Sequence, residues 1–134
     1  MIEMTIEALL DNFTKVQTFI DSRLEELGCS NKAKFQINVA VEEIFVNIAN
    51  YAYEPNTGMA TIQIIDSEDT VIITFIDSGK PYNPLETPAP DITLPPEERS
   101  IGGLGIFMVK KITDDMKYEY MDNKNILSIT KRIK

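Results

Sequence analysis

The chain has 134 residues, 43% of them hydrophobic, which suits one domain with a single core and leaves no room for a second. A net charge of −8 and a pI near 4.5 argue against nucleic acid or anionic membranes as partners, because both are held through clustered Lys and Arg. One cysteine, Cys29, excludes an internal disulfide, and without any histidine nothing remains for a structural zinc site, so any metal is expected to be oxygen-ligated.

The start, Met1-Ile2-Glu3-Met4, lacks the basic and apolar segments of a leader, and no window reaches membrane-spanning length. A cytoplasmic protein is expected. Residues 1–8 suit a short edge strand. Leu9, Leu10, Phe13, Val16, Phe19, Ile20, Leu24 and Leu27 then recur at helical spacing and stop at Gly28. Cys29, at that helix end, is expected to be an inert thiol. Ser30 or Asn31 can cap a second helix running to about Tyr53, with Ile37, Val41, Ile44 and Ile48 as its inner stripe.

Ala60–Ile65 and Thr70–Ile76 read as a hairpin joined by Asp66-Ser67-Glu68-Asp69. From Ser78 to Ile101 six prolines interrupt regular structure, and a loop of that length in a small domain signals function or disorder. A third helix begins near Leu104 and covers Ile106, Phe107, Val109 and Ile112. Lys117–Met121 and Ile126–Ile133, around the turn Asp122-Asn123-Lys124-Asn125, close the chain as a second hairpin. The expected fold is α+β: a two-layer sandwich with helices on one face of a mixed, mostly antiparallel sheet. Residues 1–100 carry 17 acidic and 6 basic residues and 101–134 carry 4 and 7, so the C-terminal part is locally cationic, as a polyanion site or a solvated face would be.

Four groups of residues could carry chemistry. Ala40, Glu43, Asn47 and Asn50 share a stripe on the second helix, where a carboxylate and an amide project together. Polar residues at that spacing also make a solvated face, the reading that suits Glu42. The apolar neighbours Val39, Phe45 and Val46 argue against it for Glu43 and Asn47, since burying unpaired polar groups is costly. Asn47 could supply one oxygen to Mg²⁺, which otherwise keeps waters and phosphate oxygens, and Glu43 could accept a proton from a hydroxyl or water. Asp77 ends an apolar strand with Gly79 two residues on. That pair can read an exocyclic amino group and admit a planar base, or form an ordinary turn. Gly102-Gly103-Leu104-Gly105 opens the third helix, where free N–H groups can hold phosphate, although no Gly-Lys-Ser/Thr follows. Arg99, in the proline-rich loop, could close over a terminal phosphate or be a plain surface arginine.

In this order the segments Val41–Asn50, Phe75–Gly79 and Gly102–Ile106 resemble the N, G1 and G2 boxes of the Bergerat ATP-binding fold. The chain is similar over residues 10–134 to the histidine-kinase-type ATPases, and more narrowly to the small anti-sigma factor serine/threonine kinases of bacterial sporulation and stress control. The resemblance implies Glu43 as catalytic base, Asn47 as Mg²⁺ ligand, Asp77 as adenine-binding aspartate, and Gly79 as the G1 glycine. It further implies Gly103, Leu104 and Gly105 as the phosphate loop, Asn50 as a further nucleotide contact, and Arg99 as an arginine on an ATP lid over 78–101. ATP and Mg²⁺ are the implied cofactors. An anti-anti-sigma (STAS-type) protein is the implied substrate, with a sigma factor as the alternative bound partner and a homodimer as the assembly. Relatives often have a threonine just before the N-box asparagine and a histidine shortly after it, where this chain has Val46 and Tyr51. The expected function is a Mg·ATP-dependent protein serine/threonine kinase that acts by partner switching. The alternative is an ATP-gated binding protein that sequesters a regulator without phosphorylating it.

Overall fold

Alternate residues of the central strands are apolar, and a period of two places them on one side of a sheet. The computed structural model describes residues 1–86 and 103–134. In chain order these form β1 (Ile2–Glu7), α1 (Phe13–Glu26), α2 (Asn31–Asn47), β2 (Met59–Ser67), β3 (Thr70–Asp77), α3 (Gly103–Ile112), β4 (Asp115–Met121) and β5 (Lys124–Arg132). The sheet has five strands in the order β1-β2-β3-β5-β4, and all four pairings are antiparallel. Ala60, Ile62 and Ile64 of β2, Val71, Ile73 and Phe75 of β3, and Leu127 and Ile129 of β5 are buried under the helices. The opposite face carries hydroxyls, with Thr5 bonded to Thr61 at 2.9 Å and Thr74 to Ser128 at 2.8 Å. The two-layer α+β sandwich expected from the sequence is the one observed.

The first helix starts at Phe13 rather than at Leu9. Leu9 is extended (φ −117°, ψ 142°), and Leu10–Asn12 make a tight 3₁₀ turn instead. From Phe13 on, Val16, Ile20 and Leu24 are buried at three- and four-residue spacing. Gly28 (φ +71°) then ends α1 in the left-handed region, with Gly28 N–H bonded to the Glu25 carbonyl at 3.1 Å and Cys29 N–H to that of Leu24 at 3.0 Å. Ser30 caps α2 by accepting the Ala33 N–H at 3.2 Å, and Ala33, Ile37, Ala40, Val41, Ile44 and Phe45 are its buried side.

Asp122 and Asn123 have φ of +54° and +62°, the conformation of a two-residue hairpin turn that Asp and Asn tolerate. The turn is therefore shorter than the four residues expected, and β5 already includes Asn125. Among the described residues, no helix is long and apolar enough to cross a membrane.

Candidate functional site

Val71, Ile73, Phe75 and Asp77 point the same way from β3, so the last inward residue of an apolar strand is a carboxylate. Asp77 is 7% exposed and lies directly opposite Asn125 of β5, itself 6% exposed. Asp77 Oδ1 accepts the Gly79 N–H at 2.9 Å and the Asn125 Nδ2–H at 2.9 Å. Both residues line a cavity of about 480 Å³ between the sheet and the helices. Its apolar wall comes from Ile44, Ile48, Phe75, Ile106 and Leu127, and Tyr51, Tyr82 and Tyr118 add aromatic surface. A mostly apolar pocket with a few convergent polar groups suits a planar, partly polar small molecule.

Asn47 of α2 lines the same cavity. It is half-buried and makes no side-chain hydrogen bond among the described residues, as does Glu43 one turn earlier. Directly after Asn47 the helix widens into a π turn over Ile48–Ala52. Such turns are rare and concentrate at functional sites. The wider turn takes up an extra residue, so the side chain carried over Asn47 toward the cavity is Tyr51, whereas Asn50 is exposed and does not line it. No group of three His, Cys, Asp or Glu side chains gathers as a metal cluster among the described residues. A single amide oxygen fits Mg²⁺, a cation that fills most of its shell with water and phosphate.

The glycines serve close packing of protein on protein. A Cβ on Gly79 would stand 2.3 Å from the Ala52 carbonyl oxygen, and Lys80 N–H donates to that same oxygen at 2.9 Å. Gly79 thus lets the turn after β3 lie on the π turn. A Cβ on Gly105 would stand 2.0 Å from Glu43 Oε2, so the Glu43 carboxylate lies against the first turn of α3, which Gly103 and Leu104 open. A helix N-terminus favours an anion there. Arg99, Gly102 and the part of the expected lid from 87 on lie outside the described residues.

The sequence pointed to none of Asn125, Tyr118, Tyr53 and, as a wall of the site, Tyr51. Tyr53 donates to the Met59 carbonyl at 2.6 Å and accepts the Ser78 N–H at 2.8 Å, tying the residue before Gly79 to the end of the π turn and the start of β2. Burial pushes its phenol above the ordinary value, with the Ser78 N–H pulling the other way. The Tyr118 hydroxyl donates to Asn125 Oδ1, and burial raises that phenol as well. One signal was available in the sequence: Asn125 lies two residues before the inward-facing Leu127 and so shares its parity.

The histidine kinase-like ATPase domain family matches residues 6–131, and the chain belongs to that family. Within it, the chain is similar to the serine-protein kinases RsbW. The Bacillus mycoides protein is 24% identical over 137 residues, covering 89% of this chain and 86% of its own length. The Listeria monocytogenes protein is 29% identical over 106 residues, covering 75% and 67%. Among solved structures, the RsbU and RsbW domains of Rv1364c from Mycobacterium tuberculosis superpose with a TM-score of 0.66 at 14% identity, over 99% of this chain and 33% of that one. The catalytic domain of the histidine kinase ThkA superposes with a TM-score of 0.53 at 13% identity, over 99% and 98%. Both structures share the fold.

Proposed function

We propose that this protein is a cytoplasmic, Mg·ATP-dependent protein serine/threonine kinase of the anti-sigma factor type. Its substrate is a small anti-anti-sigma (STAS-type) protein, and the alternative bound partner is a sigma factor. The observation that carries the reading is the pair Glu43 and Asn47, half-buried, one turn apart and without side-chain hydrogen bonds among the described residues, beside a cavity into which Asp77 projects. The similarity to serine-protein kinases RsbW supports it.

In this reading Asp77 accepts the exocyclic amino group of adenine through Oδ2, the oxygen that has no hydrogen bond among the described residues. The apolar wall takes the base. Phosphates lie toward the N-terminus of α3, at the backbone of Gly103 and Leu104, while Gly105 makes room for the Glu43 carboxylate rather than for a phosphate. Asn47 contributes an oxygen to Mg²⁺. A magnesium ion held there would supply neutralisation of phosphate charge. Glu43 takes the proton from the acceptor hydroxyl as its oxygen bonds to the γ-phosphorus and the bond to the β–γ bridging oxygen breaks, releasing ADP. Arg99, on a lid over 78–101, covers the terminal phosphate in the same proposal, and the chain works as a homodimer.

The test is label transfer from γ-labelled ATP to a STAS-type partner, with Glu43→Gln and Asn47→Ala alongside. The proposal expects labelled partner with the native chain, loss of transfer with intact nucleotide binding for Glu43→Gln, and loss of Mg²⁺-dependent affinity for Asn47→Ala. Tight nucleotide-dependent partner binding with no labelled product would replace the kinase with an ATP-gated sequestering protein.

A further inference from the structure

Every hydrogen-bonding position of the buried Asn125 amide is filled by protein. Nδ2 donates to Asp77 Oδ1 at 2.9 Å and to the Lys80 carbonyl at 2.8 Å, with the Gly79 carbonyl farther off at 3.5 Å. Oδ1 accepts the Tyr82 N–H at 3.1 Å and the Tyr118 hydroxyl. A carbonyl only accepts and a backbone N–H only donates, so Lys80 and Tyr82 fix which end of the amide is nitrogen. The donor end therefore faces Asp77.

This arrangement acts on the carboxylate. Oδ1 of Asp77 is taken by two donors, Gly79 N–H and Asn125 Nδ2–H, which leaves Oδ2 to accept from whatever enters the cavity. The amide also ties the backbone at Lys80 and Tyr82, both of which line the cavity, to the first residues of β5. A fixed acceptor in an apolar wall favours a ligand that offers N–H and rejects one that offers C=O, because two facing acceptors are both left unpaired.

We infer that Asn125 is a positioning residue for base selectivity: by holding Asp77 with Oδ1 loaded and Oδ2 unbonded among the described residues, it makes the site prefer a purine with an amino group at C6 over one with a carbonyl there. The inference rests on the adenine-nucleotide reading above and adds a residue that acts through Asp77.

The test is equilibrium titration of the full chain with ATP and with inosine triphosphate, whose base carries a carbonyl at C6. The native chain prefers ATP. In Asn125→Asp the donor becomes an oxygen opposite Oδ1, a contact that persists only with a shared proton, and the preference for ATP falls by about tenfold or more. A role in stability alone would weaken both nucleotides by one factor, and an unchanged ratio in the folded variant overturns the inference. If circular dichroism shows that Asn125→Asp does not fold, Asn125→Ser carries the same test, since its hydroxyl cannot span from Asp77 to Lys80. Native preference for ATP with an unchanged ratio in the variants refutes the role of Asn125 alone. A native chain that binds neither nucleotide, or both alike, refutes the adenine reading as well.

Discussion

The Glu43 carboxylate fills the space that a side chain on Gly105 would need, with Oε2 lying 2.0 Å from where the Cβ would be. The obstacle is the far end of a flexible side chain, which can swing away. Alanine is also favoured over glycine inside a helix by up to about 1 kcal/mol. Gly105→Ala is therefore expected to keep or raise the melting temperature while moving the carboxylate off the first turn of α3. If Glu43 is the base, phosphoryl transfer then falls about a hundredfold or more, as for loss of a general base. Thermal melting and label transfer on the same preparation check this. Native transfer rates in a folded Gly105→Ala variant would mean that the position of Glu43 is immaterial.

Gly79→Ala is expected to behave in the opposite way. Here the added Cβ meets backbone, the Ala52 carbonyl oxygen at 2.3 Å and its carbon at 2.6 Å, and neither can rotate aside. The turn after β3 must lift from the π turn, lengthening the 2.9 Å bond from Lys80 N–H to Ala52. The expected cost is about 1–3 kcal/mol, as for overpacking elsewhere, read as a lower urea midpoint at unchanged slope. An unchanged midpoint would show that the close approach is easily relieved.

These two glycines show where sequence reasoning reached and where it stopped. Their positions in the G1 and G2 segments were legible, and so was the fold, because a period of two in β2, β3 and β5 and of three to four in α1 and α2 follows directly from burial. The reason for each glycine was not legible. Read alone, a missing Cβ suggests room for a base or a phosphate, whereas Ala52 and the Glu43 carboxylate take that room, and both contacts join segments far apart in the chain. Asn125 was hidden for a related reason. Its residue type suits a turn as well as a strand end, and only the register that sets it opposite Asp77 gives it a role. Asn50 shares the stripe of Glu43 and Asn47 only at α-helical spacing, whereas Ile48–Ala52 form a π turn, a local widening for which the apolar pattern carries no signal.

Asp77→Asn tests the proposed base-reading role of this carboxylate with little disturbance of the fold. The amide oxygen can still accept from Gly79 N–H and Asn125, both at 2.9 Å in the native protein. What changes is the other position, which becomes an NH₂ facing any amino group in the cavity. ATP affinity is expected to fall on the order of 10- to 100-fold, the value of a hydrogen bond to a charged group plus the unpaired donor left behind. The rise in melting temperature on adding Mg·ATP should shrink accordingly, since a ligand stabilises only in proportion to its binding to the native state. An undiminished rise would remove Asp77 from the site.

Cys29 gives a prediction that is independent of nucleotide. Burial pushes its thiol above the ordinary value, against the pull of Lys34 and with a smaller push from Asp21. Its Sγ–H donates to the Ser30 carbonyl at 3.4 Å, a contact that the thiolate cannot make. The thiolate is the reactive species, so thiol–disulfide exchange with a chromogenic disulfide should be slower at neutral pH in the native chain than in urea, and its rate should inflect at higher pH. The same sign holds for stability. A folded thiol that keeps its proton more tightly than the unfolded one adds stability below the unfolded pKa, and this is lost as pH rises through the folded value. Rate–pH profiles of native and urea-denatured protein decide the matter. A native inflection at or below the denatured one would mean that the positive charge of Lys34 outweighs desolvation at this site.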